Sequence, residues 1–167
     1  MEVQNKDPMY LNDIWFLYFH EPFDTNWDLK SYKFLCTISN VDDYIQVFHA
    51  FKPLFFNGMF FIMREHISPR WEDENNINGG CFSFKVNKNV LHEKTFEICS
   101  QMMGETLGKK SEFSLNINGI SISPKKNYYI FRIWIKDSSI ATSHNYNIRV
   151  PKYSTLMFKH HSEPKDI

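Results

Sequence analysis

The chain has 167 residues, a length that favours one domain with a core of useful size. It carries 19 Lys and Arg residues against 19 Asp and Glu residues, so its formal net charge is zero. A zero balance argues against a protein that coats long nucleic acids, because non-specific phosphate binding needs a broad cationic excess. A short charged ligand bound by a few local cations remains compatible with it.

The composition also argues against disulfides, metal sites and membrane spans. Cys36, Cys81 and Cys99 are odd in number and form no C-x-x-C pair, and the seven His residues lack metal-ligand spacing. Neither a signal peptide nor an apolar run of about 18 residues is present. We therefore expect a cytoplasmic protein without cofactor or metal. Its abundant Asn, Lys and Ile are typical of an AT-rich genome, such as that of a protist or a large DNA virus.

The periodicity of apolar residues predicts the elements in chain order. Residues 1–8 read as a flexible tail, residues 9–161 as a single domain and residues 162–167 as a second tail. Helical spacing predicts helices over 41–51, with Asn40 as N-cap, and over 91–103, ending near Gly104. Alternating or densely apolar stretches predict strands over 11–20, 32–38, 55–64, 81–86, 113–123, 128–136 and 153–160.

These elements predict an α+β fold. We expect a single curved antiparallel sheet of six to eight strands, with two or three helices packed on its convex face.

Two of the four Trp residues lie in polar surroundings, where folding alone gives no reason for them. Trp27 stands between Asn26 and Asp28, and Trp71 stands beside Glu72 in an acidic loop. The face of an exposed indole is a platform for a nucleic-acid base and contributes about 1–3 kcal/mol per base. A positively charged base gains about 0.5–2 kcal/mol more from each ring. The alternative is that each ring folds back onto the sheet as a lid.

Glu72 adds a group that can read the edge of a base. Guanine presents a ring N–H and an exocyclic NH₂ side by side, and one carboxylate can accept both, with a discrimination of about 1–3 kcal/mol. Methylation of guanine makes the ring N–H more acidic, which strengthens this hydrogen bond. The alternative is that Glu72 is a solvated loop residue.

The segment that contains Trp71 and Glu72 resembles the cap-binding loop of the eukaryotic translation initiation factor 4E family, with the pattern Ile67-x-Pro69-x-Trp71-Glu72-Asp73-x-x-Asn76-x-x-Gly79-Gly80. The resemblance extends over residues 9–136. It includes Leu11-x-x-x-Trp15-x-Leu17-Tyr18-Phe19, Val41-Asp42-Asp43-Tyr44, Met103-Gly104-Glu105 and the segment 119–134.

The resemblance implies how the 7-methylguanosine cap of messenger RNA would bind. Trp27 and Trp71 would sandwich the base, Glu72 would accept its two N–H hydrogen bonds, and Trp134 would lie against the methyl group. Trp15 is expected in the core.

The phosphate site departs from the family pattern. Lys125 stands where the family has an Arg that pairs with the cap phosphates, so the charge is kept but the bidentate fork is lost. Cys81 replaces a second phosphate-binding Arg, and Ile130 replaces a Lys. Phosphate affinity should therefore fall unless other cations substitute.

Strand alternation offers a substitute, because it puts Arg132 on the same face as Trp134. We expect Arg132 to bind phosphate, with Lys126 as a weaker candidate. Two alternatives stay open: Arg132 is a solvated surface charge, or the C-terminal segment around Lys159 contributes instead.

The family's protein-binding surface is also altered. In the family, a Trp on the first helix receives an amphipathic segment of a scaffold or repressor, and here Ile45 replaces that Trp. A groove for a helix could still form on this surface. A Trp is often a binding hot spot, so its replacement suggests a dedicated partner. The expected surface comprises Val41, Ile45, Phe96, Glu97, Ser100 and Gly104.

The sequence therefore predicts a non-catalytic, monomeric translation initiation factor that binds capped messenger RNA and recruits it through a scaffold protein. A cap-sequestering repressor is an alternative in the same class. From other classes, Glu72-Asp73-Glu74 could hold Mg²⁺ in an enzyme acting on capped RNA, although no nucleophile–base arrangement is evident. A protein-interaction or sugar-binding module would explain the Trp rings but not Glu72 or Lys125.

Overall fold

A computed structural model describes residues 7–161 of the chain. The predicted tails lie outside these residues, except for Asp7 and Pro8, which form no helix or strand. The described residues form one open antiparallel sheet of seven strands in the order β2-β1-β3-β5-β6-β4-β7. The strands are β1 Tyr10–His20, β2 Lys33–Asn40, β3 Met59–Arg64, β4 Gly80–Val86, β5 Ile117–Pro124, β6 Tyr129–Ile135 and β7 Met157–His160.

Three α-helices accompany the sheet in the described part of the chain: α1 Val41–Phe51, α2 Leu91–Met103 and α3 Ser111–Leu115. The side chain of Asn40 accepts a hydrogen bond from the Asp43 amide at 2.8 Å, which caps α1 as its sequence predicts. The single sheet and its helices confirm the predicted α+β fold.

Three strands begin later than the periodicity predicts. Residues 52–56 form a 3-10 helix, so β3 begins at Met59 rather than at residue 55. Residues 111–115 form α3, so β5 begins at Ile117 rather than at residue 113. The last strand is short, Met157–His160. Phe55, Phe113 and Leu156 pack on the core without joining the ladder. Apolar content alone cannot distinguish this arrangement from a strand.

Strand alternation gives the sheet two different faces. On one face, Phe82, Phe84, Phe131 and Ile133 join the buried residues of α1 and α2 in the main core. The opposite face carries a smaller apolar cluster of Phe61, Met63, Ile67, Cys81 and Trp134. The helices thus cover one face and leave the other to the loops.

A buried arginine fixes the strands at one end of the sheet. Both Arg64 terminal nitrogens hydrogen-bond to Glu105, at 2.7 and 2.9 Å, and one also reaches Asp13 at 2.9 Å. The guanidinium lies 4.4 Å from the Trp15 ring, which is fully buried. This confirms the core position predicted for Trp15. Removal of one partner from such a buried ion pair costs about 3–5 kcal/mol.

The segment 65–79, which we call the tryptophan loop, is held by two of its own polar side chains. The Asp73 carboxylate accepts hydrogen bonds from the amide and hydroxyl of Ser68 and from the amide of Asn75. Burial alone would raise the pKa of Asp73, but these hydrogen bonds outweigh burial and lower it. The fully buried Asn76 donates to the carbonyls of Ser68 and Arg70.

The end of β7 clasps the tryptophan loop through His161. Its Nδ1–H donates to the Asn76 carbonyl at 2.7 Å, because a carbonyl can only accept. Its Nε2 then accepts from the Cys81 thiol at 3.2 Å. Burial raises the pKa of Cys81 to about 12, so this thiol keeps its proton at neutral pH. Burial also lowers the pKa of His161, which keeps the imidazole neutral.

The lowered pKa of His161 makes the clasp sensitive to acid. An unfolded His titrates near pH 6.5 (about that of a model peptide). Below this pH the unfolded chain binds a proton that the folded chain still excludes, so the free energy of unfolding falls until the pH passes the folded-state pKa. We expect His161→Gln to lose this part of the pH dependence, measured as urea unfolding at about pH 7.5 and about pH 5.5.

His144→Gln is the matched control, because His144 is exposed in a 3-10 turn away from the loop. It should keep the wild-type dependence on pH. An unchanged pH dependence in His161→Gln would show that the clasp does not titrate in this way.

Candidate functional site

A cavity of about 830 Å³ opens on the sheet face that the helices leave uncovered. Its walls come from the connection between β1 and β2, the tryptophan loop, strands β3 to β6 and the end of β7. The lining residues that matter below are Trp27, Tyr32, Arg70, Trp71, Cys81, Ser83, Ser121, Ser123, Arg132, Trp134, Lys159 and His161.

Trp27 is supported from behind by a buried histidine. The rings of Trp27 and His20 stack with centroids 4.2 Å apart and planes 4° apart. Both ring nitrogens of His20 lie 2.8 Å from backbone carbonyls, those of Glu21 and Asn26. Trp27 remains 48% exposed and lines the cavity. The connection is therefore braced, and the indole is available to a ligand.

Trp71 reaches the same cavity from the tryptophan loop and is also 48% exposed. Among the described residues, the rings of Trp27 and Trp71 make no contact with each other, and both line the same cavity. The cavity thus has one half-exposed indole on each of two separate loops.

Glu72 lies beside the cavity rather than among the residues that line it. Its carboxylate is 3.6 Å from Nε of Arg70, which does line the cavity. Burial raises the pKa of Tyr32 to about 12, and the nearby charge of Glu72 adds to this while Arg70 opposes it. Glu72, Arg70 and Tyr32 therefore form one electrostatic group at the cavity edge.

Trp134 forms part of the cavity floor and is only 7% exposed. Its indole N–H donates to the Ser121 hydroxyl at 3.1 Å. The ring meets Phe61 edge-on at 6.4 Å and His161 at 5.1 Å. These contacts hold the ring in place. Trp134 therefore has little freedom to move, and only a small part of its surface is accessible to a ligand.

Besides Arg70, which contacts Glu72, two cations line this cavity. Arg132 pairs in register with Ser83 on one side and Ser121 on the other, and Lys159 pairs with Cys81. Within residues 7–161, neither cation has a carboxylate within 4.0 Å. Sequence reasoning named Arg132 but left Lys159 open. Alternation shows which face Lys159 occupies only once the pairing of β7 with β4 is known.

The structure separates Lys125 and Lys126 from the tryptophans. Both lie at the turn between β5 and β6 and line a second groove of about 400 Å³. They do not line the larger cavity, because the turn lies beyond the strand residues that line it. A phosphate role for these two lysines therefore stays a prediction that depends on how far a ligand extends.

The residues predicted for a protein partner lie on the helical side of the sheet. The rings of Tyr44 and Phe96 stack at 5.4 Å, and the Tyr44 hydroxyl donates to the Phe96 carbonyl at 3.0 Å, which joins α1 to α2. Ile45 and Phe96 are 41% and 44% exposed. Val41, Glu97, Ser100 and Gly104 lie on these two helices or at their ends.

Sequence reasoning missed Tyr32, Arg70, His20 and the cavity serines. None of these residues belongs to a recognisable sequence pattern. They can be identified only when it is known which strands and loops are neighbours in the fold. In the described part of the chain, no group of three His, Cys, Asp or Glu residues is placed to hold a metal ion. None of the helices described is long and apolar enough to cross a membrane.

The comparisons with known proteins agree on one family. The family model described as Eukaryotic initiation factor 4E matches residues 10–166. A eukaryotic translation initiation factor 4E homolog of Acanthamoeba polyphaga mimivirus is 31% identical over 126 residues, covering 64% of this chain. This chain spans 45% of the length of that viral relative. The Candida albicans factor is 29% identical over 148 residues, which cover 81% of this chain and 68% of that protein.

Solved structures show the same fold. A complex of C. elegans eIF4E-3 with the 4E-binding protein Mextli and a cap analog matches with a TM-score of 0.77 at 18% identity, covering 93% of this chain and 94% of that one. Schistosome eIF4E complexed with m7GpppG and 4E-BP matches with a TM-score of 0.72 at 20% identity, covering 81% and 76%. With the sheet, the helices and the family model in agreement, the chain belongs to the eukaryotic initiation factor 4E family.

Proposed function

We propose that this protein is a cytoplasmic translation initiation factor that binds the 7-methylguanosine cap of messenger RNA without catalysing a reaction. The observation that carries the proposal is one cavity with a half-exposed indole on each of two loops and two cations, Arg132 and Lys159, that form no ion pair within residues 7–161. Members of its family have been solved with cap analogs, which supports the same ligand class here.

The base would stack between Trp27 and Trp71. A methylated guanine is cationic, so it gains cation–π attraction of about 0.5–2 kcal/mol from each ring beyond ordinary stacking. Glu72 would accept hydrogen bonds from the guanine ring N–H and NH₂, exchanging its loose contact with Arg70 for a bidentate pair. Trp134 would contact the methyl group from the cavity floor.

The phosphates would lie over Arg132 and Lys159. Both cations line the same cavity as the indoles and are free of carboxylates among residues 7–161. The hydroxyls of Ser83 and Ser123 also line it and can donate to phosphate oxygens. Cys81 replaces a family Arg and so removes a positive charge. In this arrangement Lys159, which pairs with Cys81 from β7, would supply that charge.

Selectivity for the methyl group tests the proposal. We expect 7-methylguanosine triphosphate to quench Trp fluorescence and to bind far more tightly than guanosine triphosphate. Trp71→Ala should weaken binding by about 5- to 150-fold, the equivalent of one stacked base. The control is Phe23→Ala, which removes an exposed ring outside the cavity. Equal affinity for the two nucleotides would rule out cap recognition.

The role of Arg132 has a separate test. Arg132→Ala should weaken the cap triphosphate by roughly 10- to 150-fold, because a hydrogen bond to a charged group contributes about 1.5–3 kcal/mol. The bare methylated nucleoside should lose little. Arg149→Ala removes an exposed arginine outside the cavity and should affect neither ligand. Equal losses for triphosphate and nucleoside would refute a phosphate role.

The helical face would bind a scaffold or repressor segment. Stacked Tyr44 and Phe96 give a firm apolar base, and Ile45 and Phe96 stay accessible on it. An amphipathic helix lays its apolar side into a groove of this kind. Since Ile45 replaces a family Trp, we propose a dedicated partner.

Loss of this surface should separate partner binding from cap binding. Phe96→Asp should abolish pull-down of the initiation scaffold of the source cell and leave cap affinity unchanged. Leu115→Asp, at an exposed apolar residue of α3, is the control. Failure of the wild-type protein to retain any initiation scaffold would favour the alternative, a cap-sequestering repressor.

A further inference from the structure

Two long segments of the chain carry positive charge without any negative charge. Residues 75–92 contain Lys85 and Lys88, and residues 113–136 contain Lys125, Lys126, Arg132 and Lys136. Neither segment contains an Asp or Glu residue. Because these segments form β4, β5 and β6, a chain of zero net charge still has a locally cationic sheet.

The groove at the turn between β5 and β6, here called the hairpin groove, combines these cations with aromatic rings. It is lined by Phe56, Lys88, Lys125, Lys126, Asn127, Tyr128 and Tyr129. The Lys88 ammonium lies 5.1 Å from the centre of the Phe56 ring, and the Lys85 ammonium lies 4.8 Å from that of Tyr128. Within residues 7–161, none of these lysines forms an ion pair. Cations interleaved with aromatic rings are the pattern that binds single-stranded nucleic acid.

The cavity-facing side of β6 leads from the large cavity to Tyr128, which lines the hairpin groove. Trp134, Arg132 and Ile130 alternate along β6, and Tyr128 directly precedes that strand. At about 3.4 Å per residue, Arg132 lies roughly 7 Å from Trp134 and Tyr128 roughly 20 Å from it. A triphosphate would extend along the part of this path near Arg132, and the nucleotide that follows it would reach Tyr128.

A buried hydroxyl lies between the two sites. Ser123 is 2% exposed, lines the large cavity and pairs with Ile130 in the ladder. Its Oγ has no hydrogen-bond partner among residues 7–161. A buried donor without a partner is unfavourable, so a ligand oxygen that reached this hydroxyl would supply the missing hydrogen bond.

We propose that the hairpin groove binds the first transcribed nucleotides of a capped RNA, with phosphates on Lys88, Lys125 and Lys126 and a base against Tyr128. This inference rests on the proposed function, since the cap determines where the RNA begins. It gives Lys125 and Lys126 a ligand despite their distance from the tryptophans.

The test compares three ligands: 7-methylguanosine triphosphate, a capped tetranucleotide and the same tetranucleotide without a cap. We expect the capped tetranucleotide to bind about 10-fold more tightly than the mononucleotide, because added phosphate and base contacts contribute at this scale. The double variant Lys88→Ala/Lys126→Ala should lose that gain and keep its affinity for the mononucleotide. The slope of log affinity against log salt for the capped tetranucleotide should shrink by about 1.4, two phosphate contacts to a single strand.

The matched control is Lys109→Ala/Arg149→Ala, which removes the same charge from exposed residues outside both cavities. It should bind all three ligands as the wild type does. If the mononucleotide binds but added nucleotides give no gain, or if the double variant weakens both capped ligands equally, the hairpin groove is not an RNA site. If the mononucleotide itself does not bind, the cap-binding proposal fails first, and this extension fails with it.

Discussion

The alternation of side chains along each strand is the constraint on which the rest of this structure depends. All three helices lie along one sheet, and the main core takes the apolar residues of one strand face. Within residues 7–161 no helix covers the opposite face, so polar and charged side chains such as Ser83, Ser121 and Arg132 can lie there beside Trp134. An antiparallel sheet can be covered by helices on one side only, which leaves its other side open to the cavity.

The proposed base site is preorganised by groups that do not touch the ligand. His20 stacks behind Trp27, and Asp73 and Asn76 fix the backbone that carries Trp71. Asn118 of β5 donates to the Asn76 side chain, and His161 donates to its carbonyl. A platform held in this way loses less conformational entropy when it binds, so more of the stacking energy appears as affinity.

Charge in this protein is arranged by strand rather than by total balance. Arg132 and Lys159 line the large cavity, and a further set of cations lines the hairpin groove, namely Lys88, Lys125 and Lys126. The ion pairs of Arg64, Lys33 and Lys94 lie elsewhere. A local field of this kind can attract a short anionic ligand without the non-specific affinity for long nucleic acids that a high net charge brings. Cys81 and Ile130 stand where the family has cations. Their presence need not abolish phosphate binding, because Arg132 and Lys159 lie on the same face of the sheet.

The sequence by itself determined the type of most elements, the capped start of α1 and the segment of chain that carries Trp71 and Glu72. These features are local: periodicity, capping and loop composition depend on residues a few positions apart. It also determined that Arg132 and Trp134 share a face, since alternation along one strand is enough.

Only the tertiary structure decided that Lys159 stands opposite Cys81, that Tyr32 and Arg70 line the cavity, and that Lys125 lies in a separate groove. The physical reason is the strand order, in which β5, β6, β4 and β7 are neighbours although they are not consecutive in the chain. Residues brought together by such non-local pairing leave no local pattern in the sequence. The loop that carries Trp71 and Glu72 could therefore be predicted from the sequence, and most of the residues that line the cavity and the groove could not.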